Sequence, residues 1–286
     1  MHYDMKSLLR SLLCAVFAAG AAAGPADARP LDEVTASKTL RVVVYSDNAP
    51  FSWLVDGQPR GIDVDIAHEI ARHIGVTPEI IARMTGEDVG DDLRFNVWKG
   101  PYSEGGVGDV MMHIPIDREL MSLNPEAVMG NSYFLETVAL AYDPDQIDPP
   151  ESFEVFENCK IGVQYATVAD YFLLRFKDGA LINNVAHFTE IEEGIDEFVR
   201  KVTAAILGVK SDIEGVLFSK GLKASFVEPP MPGLIRKDWP IGMAVKENSR
   251  DLHYAIGAAL EEMQTDGTLE KIFAKYGVTY VSPRSR

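Results

Sequence analysis

The residues best suited to chemistry follow one apolar segment. Asp109-Val110-Met111-Met112-His113-Ile114-Pro115 reads as a strand that opens into a loop at its proline, and the loop continues through Asp117 and Arg118. Open α/β sheets bind ligands beyond the carboxyl ends of their strands, so this strand end is a candidate site edge. The Arg118 guanidinium can clamp a carboxylate through two parallel hydrogen bonds; the alternative is a surface ion pair with Asp117 or Glu119. His113 with Asp117 is the one acid and base pair available for catalysis. No nucleophile, oxyanion loop or metal cluster accompanies it, so the expectation is a non-enzyme. A histidine at a strand end otherwise serves as a satisfied polar group. The spacing of the 6 histidines suits no metal, since His68 and His73 fall off a common helical face, and neither metal nor cofactor is expected.

Asn48, Phe51 and Trp53 are candidates for one wall of a cleft, with two aromatic faces and a hydrogen-bonding amide; for Phe51 the alternative is a core position. Trp98 and Tyr102 sit in a turn-rich stretch from Met84 to Gly108, where a loop has little core to bury them, and are expected to face the cleft. The glycines from 100 to 108 lack the Gly-Lys-Ser/Thr ending of a phosphate loop and read as a flexible lip. Gln164, Thr167 and Lys210 are candidates for the opposite wall, each at a strand end. Thr167 precedes a helix, so it serves either as an ordinary N-cap or as an anion contact at the helix N-terminus.

The elements that position these residues alternate between strand and helix. Leu40 to Tyr45 is a β-branched run ending in turn residues, and Ile66, Ile70 and Ile74 recur every fourth residue on one helical face that stops at Gly75. Thr77 to Ile81 is the next strand, so the opening is β, loop, α, β, which implies a parallel sheet covered by helices. Tyr133 to Tyr142, Lys160 to Val163, Ala204 to Val209 and Ile241 to Val245 are further strands. Val168 to Phe176, Ile195 to Val202 and Ile213 to Lys220 read as helices, and two more close the chain. Two α/β lobes joined by crossovers near 143 and 240 explain this order: lobe 1 spans 38–142 and 241–286, lobe 2 spans 143–240.

The chain of 286 residues has 27 Lys and Arg against 43 Asp and Glu, a formal charge of −16 that repels phosphate and disfavours nucleic acid as a partner. Lys6 and Arg10, the apolar run from Ser11 to Ala23 and Ala26-Asp27-Ala28 come in the order of an export signal. Residues 1–28 are therefore expected to be removed before Arg29, leaving a soluble periplasmic protein without a membrane span. Cys14 would leave with the signal, and Cys159 alone cannot form an internal disulfide; it reads as a small core residue.

Asn48-Ala49-Pro50-Phe51, Gly61-Ile62-Asp63-Val64-Asp65-Ile66-Ala67 and Gly108-Asp109-Val110-Met111-Met112 resemble, in order, landmarks of the family-3 periplasmic solute-binding proteins. Trp239-Pro240-Ile241-Gly242-Met243-Ala244-Val245 and Gln264-Thr265-Asp266-Gly267-Thr268-Leu269-Glu270-Lys271-Ile272 resemble their closing strand and final helices. The resemblance implies a type-2 periplasmic-binding fold, two lobes each with a mixed sheet covered by helices and joined by two hinge crossovers. It also implies a small-molecule solute and an ABC transporter permease as partners. In amino-acid binders of this family an arginine holds the ligand carboxylate, the role Arg118 would take, and a second-lobe aspartate holds the ammonium. Ala204-Ala205-Ile206-Leu207-Gly208-Val209-Lys210 offers no acid on that strand, and an unpaired buried ammonium costs on the order of several kcal/mol. The implied ligand is thus a small polar organic solute, carboxylate-bearing if Arg118 faces the cleft, rather than an ordinary α-amino acid. His113-Ile114-Pro115 also resembles the MoxJ/XoxJ-like branch, which implies an alternative role aiding assembly or activation of a periplasmic PQQ-dependent quinoprotein dehydrogenase.

Overall fold

The computed structural model describes residues 27–101, 106–234 and 236–283. Most of the expected export signal, with its charged and apolar parts, lies outside these residues, as does Tyr102.

The chain opens with helix α1 (Leu31–Ser37) and strand β1 (Thr39–Tyr45), followed by a small meander of β2 (Asp47–Asn48), β3 (Ser52–Val55) and β4 (Gln58–Arg60). Helix α2 (Ile62–Ile74) buries Ile66 and Ile70 on the face its sequence period requires, and β5 (Thr77–Arg83) returns parallel to β1. The turn-rich stretch holds a short helix α3 (Val89–Leu93) that runs into a π-turn over Arg94–Trp98, then β6 (Val110–Pro115) pairs parallel with β1. Helix α4 (Arg118–Leu123) leads into the long strand β7 (Ala127–Tyr142). The second lobe contains β8 (Ile161–Gln164), α5 (Val168–Arg175), β9 (Val185–Phe188), α6 (Ile191–Val199), β10 (Ala205–Val209), α7 (Lys210–Ser219) and β11 (Ser225–Val227). Strand β12 (Asp238–Lys246) and helices α8 (Arg250–Thr265) and α9 (Thr268–Lys275) return to the first lobe.

The main sheet runs β5-β1-β6-β12-β7-β10-β8-β9, with β11 also on β7. Among the described residues, β7 is the strand common to both lobes. Ala127 to Thr137 pairs with β12, whereas Val138 to Tyr142 pairs with β10 and β11. Beside this changeover the second crossing is hydrogen-bonded to the first, with Val138 N donating to Lys237 O at 2.8 Å. The register therefore moves the crossovers from 142/143 and 240/241 to Thr137–Val138 and Lys237–Asp238. A strand-like run from Tyr133 to Tyr142, interrupted only by Glu136 and Thr137, reads as one strand and does not announce a change of partner.

Each half-sheet is covered on both faces. In lobe 1, α2, α8 and α9 bury one face around Val42, Ile66, Met112, Tyr133 and Phe273, and the segment 89–98 covers the other around Met111 and Ala244. In lobe 2 the two faces pack around Phe153 and Leu173 and around Phe198 and Ile213. Cys159 is half-buried beside the first of these clusters. Asp27 and Ala28, which a cut before Arg29 would remove, pack on lobe 1: Ala28 is buried and Lys246 Nζ lies 2.5 Å from Asp27 Oδ1. No helix among the described residues is long and apolar enough to cross a membrane.

Candidate functional site

Strands β5, β1 and β6 are parallel, so their carboxyl ends share one edge of lobe 1. That edge carries a cavity of about 330 Å³ lined by Tyr45 and Asn48 after β1, Thr85 and Gly86 after β5, His113 and Pro115 of β6, and Trp239 of β12. This is where an open α/β sheet presents a ligand site, and Trp239 and Ile241 of β12 complete its lining.

His113 reaches the cavity through a β-bulge. Ile114 pairs with Gly242 and Met111 with Ala244, so Met112 and His113 together oppose Met243. His113 adopts φ +62°, a conformation unfavourable for a residue with a Cβ, and the bulge re-aims its ring out of the strand's alternation. The ring lies 4.3 Å from that of Phe51, and Nδ1 is 3.3 Å from Asp63 Oδ2 without an aligned hydrogen bond. The other Asp63 oxygen accepts from the Tyr133 hydroxyl at 2.5 Å, and burial beside that carboxylate raises the pKa of the phenol. Asn48 contributes a buried Nδ2 that finds no hydrogen-bond partner. A buried amide donor is costly unless some acceptor meets it, and Asn48 itself borders the cavity. Nearby, Asp92 accepts from Tyr45 at 2.8 Å and from Gly86 N at 2.7 Å, and burial raises its pKa.

Two acids missing from the expectations interact electrostatically with the histidine, one on the hinge strand β7 and one in lobe 2. Glu136 sits in the apolar run of β7, accepts from Thr137 N at 3.0 Å and from the Ser211 hydroxyl, and is 3% exposed; burial pushes its pKa up. Asp212, in the first turn of α7, makes no hydrogen bond to the described residues, and burial together with the Glu136 charge raises its pKa from 3.8 to about 7, against the opposing pull of His113. Lobe 2 therefore does carry an acid close enough to interact with the charge of His113, one helical turn beyond the strand that lacks one. In sequence, the only signal was an acid inside an apolar strand for Glu136; Asp212 looks like an ordinary acidic residue at a helix start.

The raised pKa carries a stability sign. The unfolded chain loses the Asp212 proton first, near pH 3.8, so the folded state is penalised increasingly from there to about pH 7 and fully above it. Asp212→Asn is expected to be neutral at pH 4 and stabilising by about 1–2 kcal/mol at pH 8, discounted for solvent access from the full shift. Urea denaturation at the two pH values measures it, and equal effects at both would contradict the buried-acid account.

The other candidates are dispersed. Phe51 does not line the cavity: it is 1% exposed and its ring packs on Phe134 and Phe273, because its backbone lies against the start of α2, with Asp63 N donating to Phe51 O at 2.9 Å. Trp53 lies edge-on to Tyr276 at 5.8 Å and lines a different interlobe cavity. Trp98 is not in the cleft. The helical segment 89–98 turns it beside Lys246 and Glu247, next to Val245, which pairs with the start of β6 rather than with the His113 end. Asp117 is the N-cap of α4, accepting from Glu119 N at 2.9 Å and Leu120 N at 3.0 Å, and Arg236 Nη2 is 2.6 Å away; these bonds hold its pKa down and leave it unpaired with His113. Arg118 is exposed, forms no ion pair with Asp117 or Glu119, and borders a separate hollow with Arg236 and Asp238. Gln164 donates to Thr189 O at 2.9 Å. Thr167 is an ordinary N-cap, its hydroxyl accepting from Asp170 N at 3.2 Å. Lys210 Nζ lies 3.9 Å from Glu214 and over the Phe226 ring. Asn48 and His113 are thus the expected residues that meet at the strand-end cavity, while Asp117 and Arg118 share the separate hollow. Among the described residues no group of acids, histidines and cysteines could hold a metal.

The family of bacterial extracellular solute-binding proteins, family 3, matches residues 40–95, the part of lobe 1 from β1 into the π-turn after α3. No curated protein matches the sequence. Many solved structures share the fold. An ancestral cationic amino acid solute-binding protein, AncCDT-1, is 23% identical with a TM-score of 0.68, over 86% of this chain and 99% of that one. The unliganded open L-cystine solute receptor of Neisseria gonorrhoeae is 16% identical with a TM-score of 0.63, over 90% and 100% of the two chains. An amino acid ABC transporter substrate-binding protein from Streptococcus pneumoniae, bound to L-arginine, is 19% identical with a TM-score of 0.58 over the same shares. The chain resembles the family-3 solute-binding proteins in sequence and shares the two-lobed mixed α/β fold of these structures.

Proposed function

We propose that the protein is the exported solute-binding component of an ABC-type uptake system, which captures a small polar solute between its lobes and delivers it to a membrane permease. The observation that carries this reading is the buried, unpartnered Asn48 amide beside the bulge-displaced His113, both in one cavity at the hinge. A site held with an unmet donor and a strained backbone is pre-organised for a ligand that supplies the missing acceptor. Asp212 and Glu136, whose charges act on His113, make the field at the site acidic, which favours a solute carrying a cationic or hydrogen-bond-donating group as well as an acceptor for Asn48. Arg118, outside this cavity, gives no support to a carboxylate clamp. Closure follows from differential affinity, because a solute touching both lobes binds the closed arrangement better.

The test is a thermal-shift screen of the protein against amines, polyamines, amino acids and carboxylates. A true ligand at a hundredfold excess over its Kd stabilises by about 2.7 kcal/mol. Asn48→Ala and Asp212→Asn are each expected to weaken that response at least tenfold in Kd, while Arg118→Ala keeps it. Silence across the screen, or a ligand indifferent to both substitutions, would sink the reading.

A further inference from the structure

We propose that helix α7 is a latch that holds the lobes together before any solute arrives, through a single stripe formed by Ser211, Glu214, Gly215 and Phe218. The inference rests on the cleft-closure reading for its biological meaning, and its geometry is read from contacts between the lobes alone. These positions follow the i, i+3, i+4, i+7 spacing that places residues on one helix face. The opposite face, Ile213 and Leu217, is buried in the core of lobe 2. The helix therefore belongs to lobe 2 and shows lobe 1 a different side.

Each member of the stripe meets a lobe-1 partner. The Ser211 hydroxyl donates to Glu136, which lies in the part of β7 paired with β12. The Glu214 carboxylate accepts from Thr279 N at 2.9 Å and from Thr279 Oγ1 at 2.7 Å, clamping the segment after α9. At Gly215 a Cβ would lie 2.9 Å from Pro50 Cγ, so the absence of a side chain permits this approach. Phe218 sits against Gly277, where a Cβ would be 2.2 Å from the ring and φ is +75°. The Thr279 segment is anchored in lobe 1 by buried Val278 and by Leu135 N donating to Val281 O at 2.9 Å. Phe218 remains 53% exposed and Thr279 is at the surface, so the contact is narrow and wet at its edge. Such an interface opens reversibly rather than fixing the lobes permanently.

Double electron–electron resonance tests this on the solute-free protein, with nitroxides at Met84→Cys and Tyr165→Cys, exposed residues on the two cleft rims, and with Cys14 and Cys159 replaced by serine. The parent is expected to show one narrow short-distance population. Gly215→Ala, which wedges against Pro50 while replacing a helix-interior glycine with a better helix former, should add a longer-distance population without loss of helical circular dichroism. Phe218→Ala should do the same. Lys220→Ala, at the C-cap just after the same helix but paired with Asp196 inside lobe 2, should leave the distribution unchanged. A parent already broad and long, no shift in Gly215→Ala and Phe218→Ala, or an equal shift in Lys220→Ala would each overturn the latch. Because no solute enters the measurement, its outcome is independent of whether the solute screen finds a ligand.

Discussion

Asp109→Asn is expected to cost about 3–5 kcal/mol of folding stability, the usual penalty for removing one partner of a buried ion cluster. Asp109 is fully buried at the foot of β6, where Oδ2 accepts from Arg29 Nη2 at 2.6 Å and from Arg41 N at 2.8 Å. Oδ1 accepts from Arg41 Nη2 at 2.9 Å and from Arg29 Nε at 3.0 Å. Asparagine keeps the shape but withdraws the charge, leaving two guanidinium groups over a neutral amide whose own N–H groups face donors. Burial alone would raise the pKa of this carboxyl; the hydrogen bonds from Arg29 and Arg41 outweigh it and hold the carboxyl below its ordinary value. A depressed carboxyl contributes stability that is fully present above the unfolded value and lost as pH falls through the folded one. The gap between parent and variant should be widest near neutral pH and narrow below about pH 4. Urea denaturation across that range measures it, and a constant gap would show that packing rather than charge is at stake. The cluster ties the entering chain to β1 and β6, so it also fixes the strand whose far end presents His113.

Phe51→Ala is expected to cost about 3–5 kcal/mol as well, the range for deleting a buried phenylalanine. Its functional consequence should exceed its share of stability. The ring lies between His113 at 4.3 Å and Phe134 at 5.7 Å, so its loss opens a void directly behind the histidine that the bulge holds at φ +62°. The strained conformation persists because the surroundings over-determine it, and with the support gone the ring is free to retreat from the cavity. Phe51→Leu, which fills more of the space, should recover most of the stability. Solute affinity should recover only in so far as His113 returns, a difference that denaturation and titration on the same samples will separate. Equal recovery of both would argue that Phe51 supports the core alone.

Much of the architecture was legible in the sequence because periodicity reports burial directly. Ile66 and Ile70 on α2, the apolar segments of β1 and β6, and the Leu252, Ile256, Leu260 and Met263 face of α8 are all buried where their spacing requires. The small meander β2 to β4 and the lone strand β9 escaped, since short strands with mixed burial carry no clear alternation. The helical segment 89–98 was hidden by its glycines and acids, although Asp88 caps it by accepting from Asp91 N at 2.8 Å. That error is what misplaced Trp98.

What the sequence by itself determined was the order of strands and helices, their buried faces, and the strand ends from which Asn48 and His113 project. The partners of those side chains were decided only by the tertiary structure. A period of two or of 3.6 residues says which side of an element is apolar, but not which distant segment will lie against it. Asp63, Glu136 and Asp212 come from a helix start, a hinge strand and a helix of the other lobe, and apart from the apolar surroundings of Glu136 in sequence, each resembles a solvated surface residue. Their common environment exists only because β7 changes partners at Thr137, β6 bulges at His113 and α7 docks across the hinge. These are register events, set by the summed packing of both lobes and invisible in the local composition of any one segment.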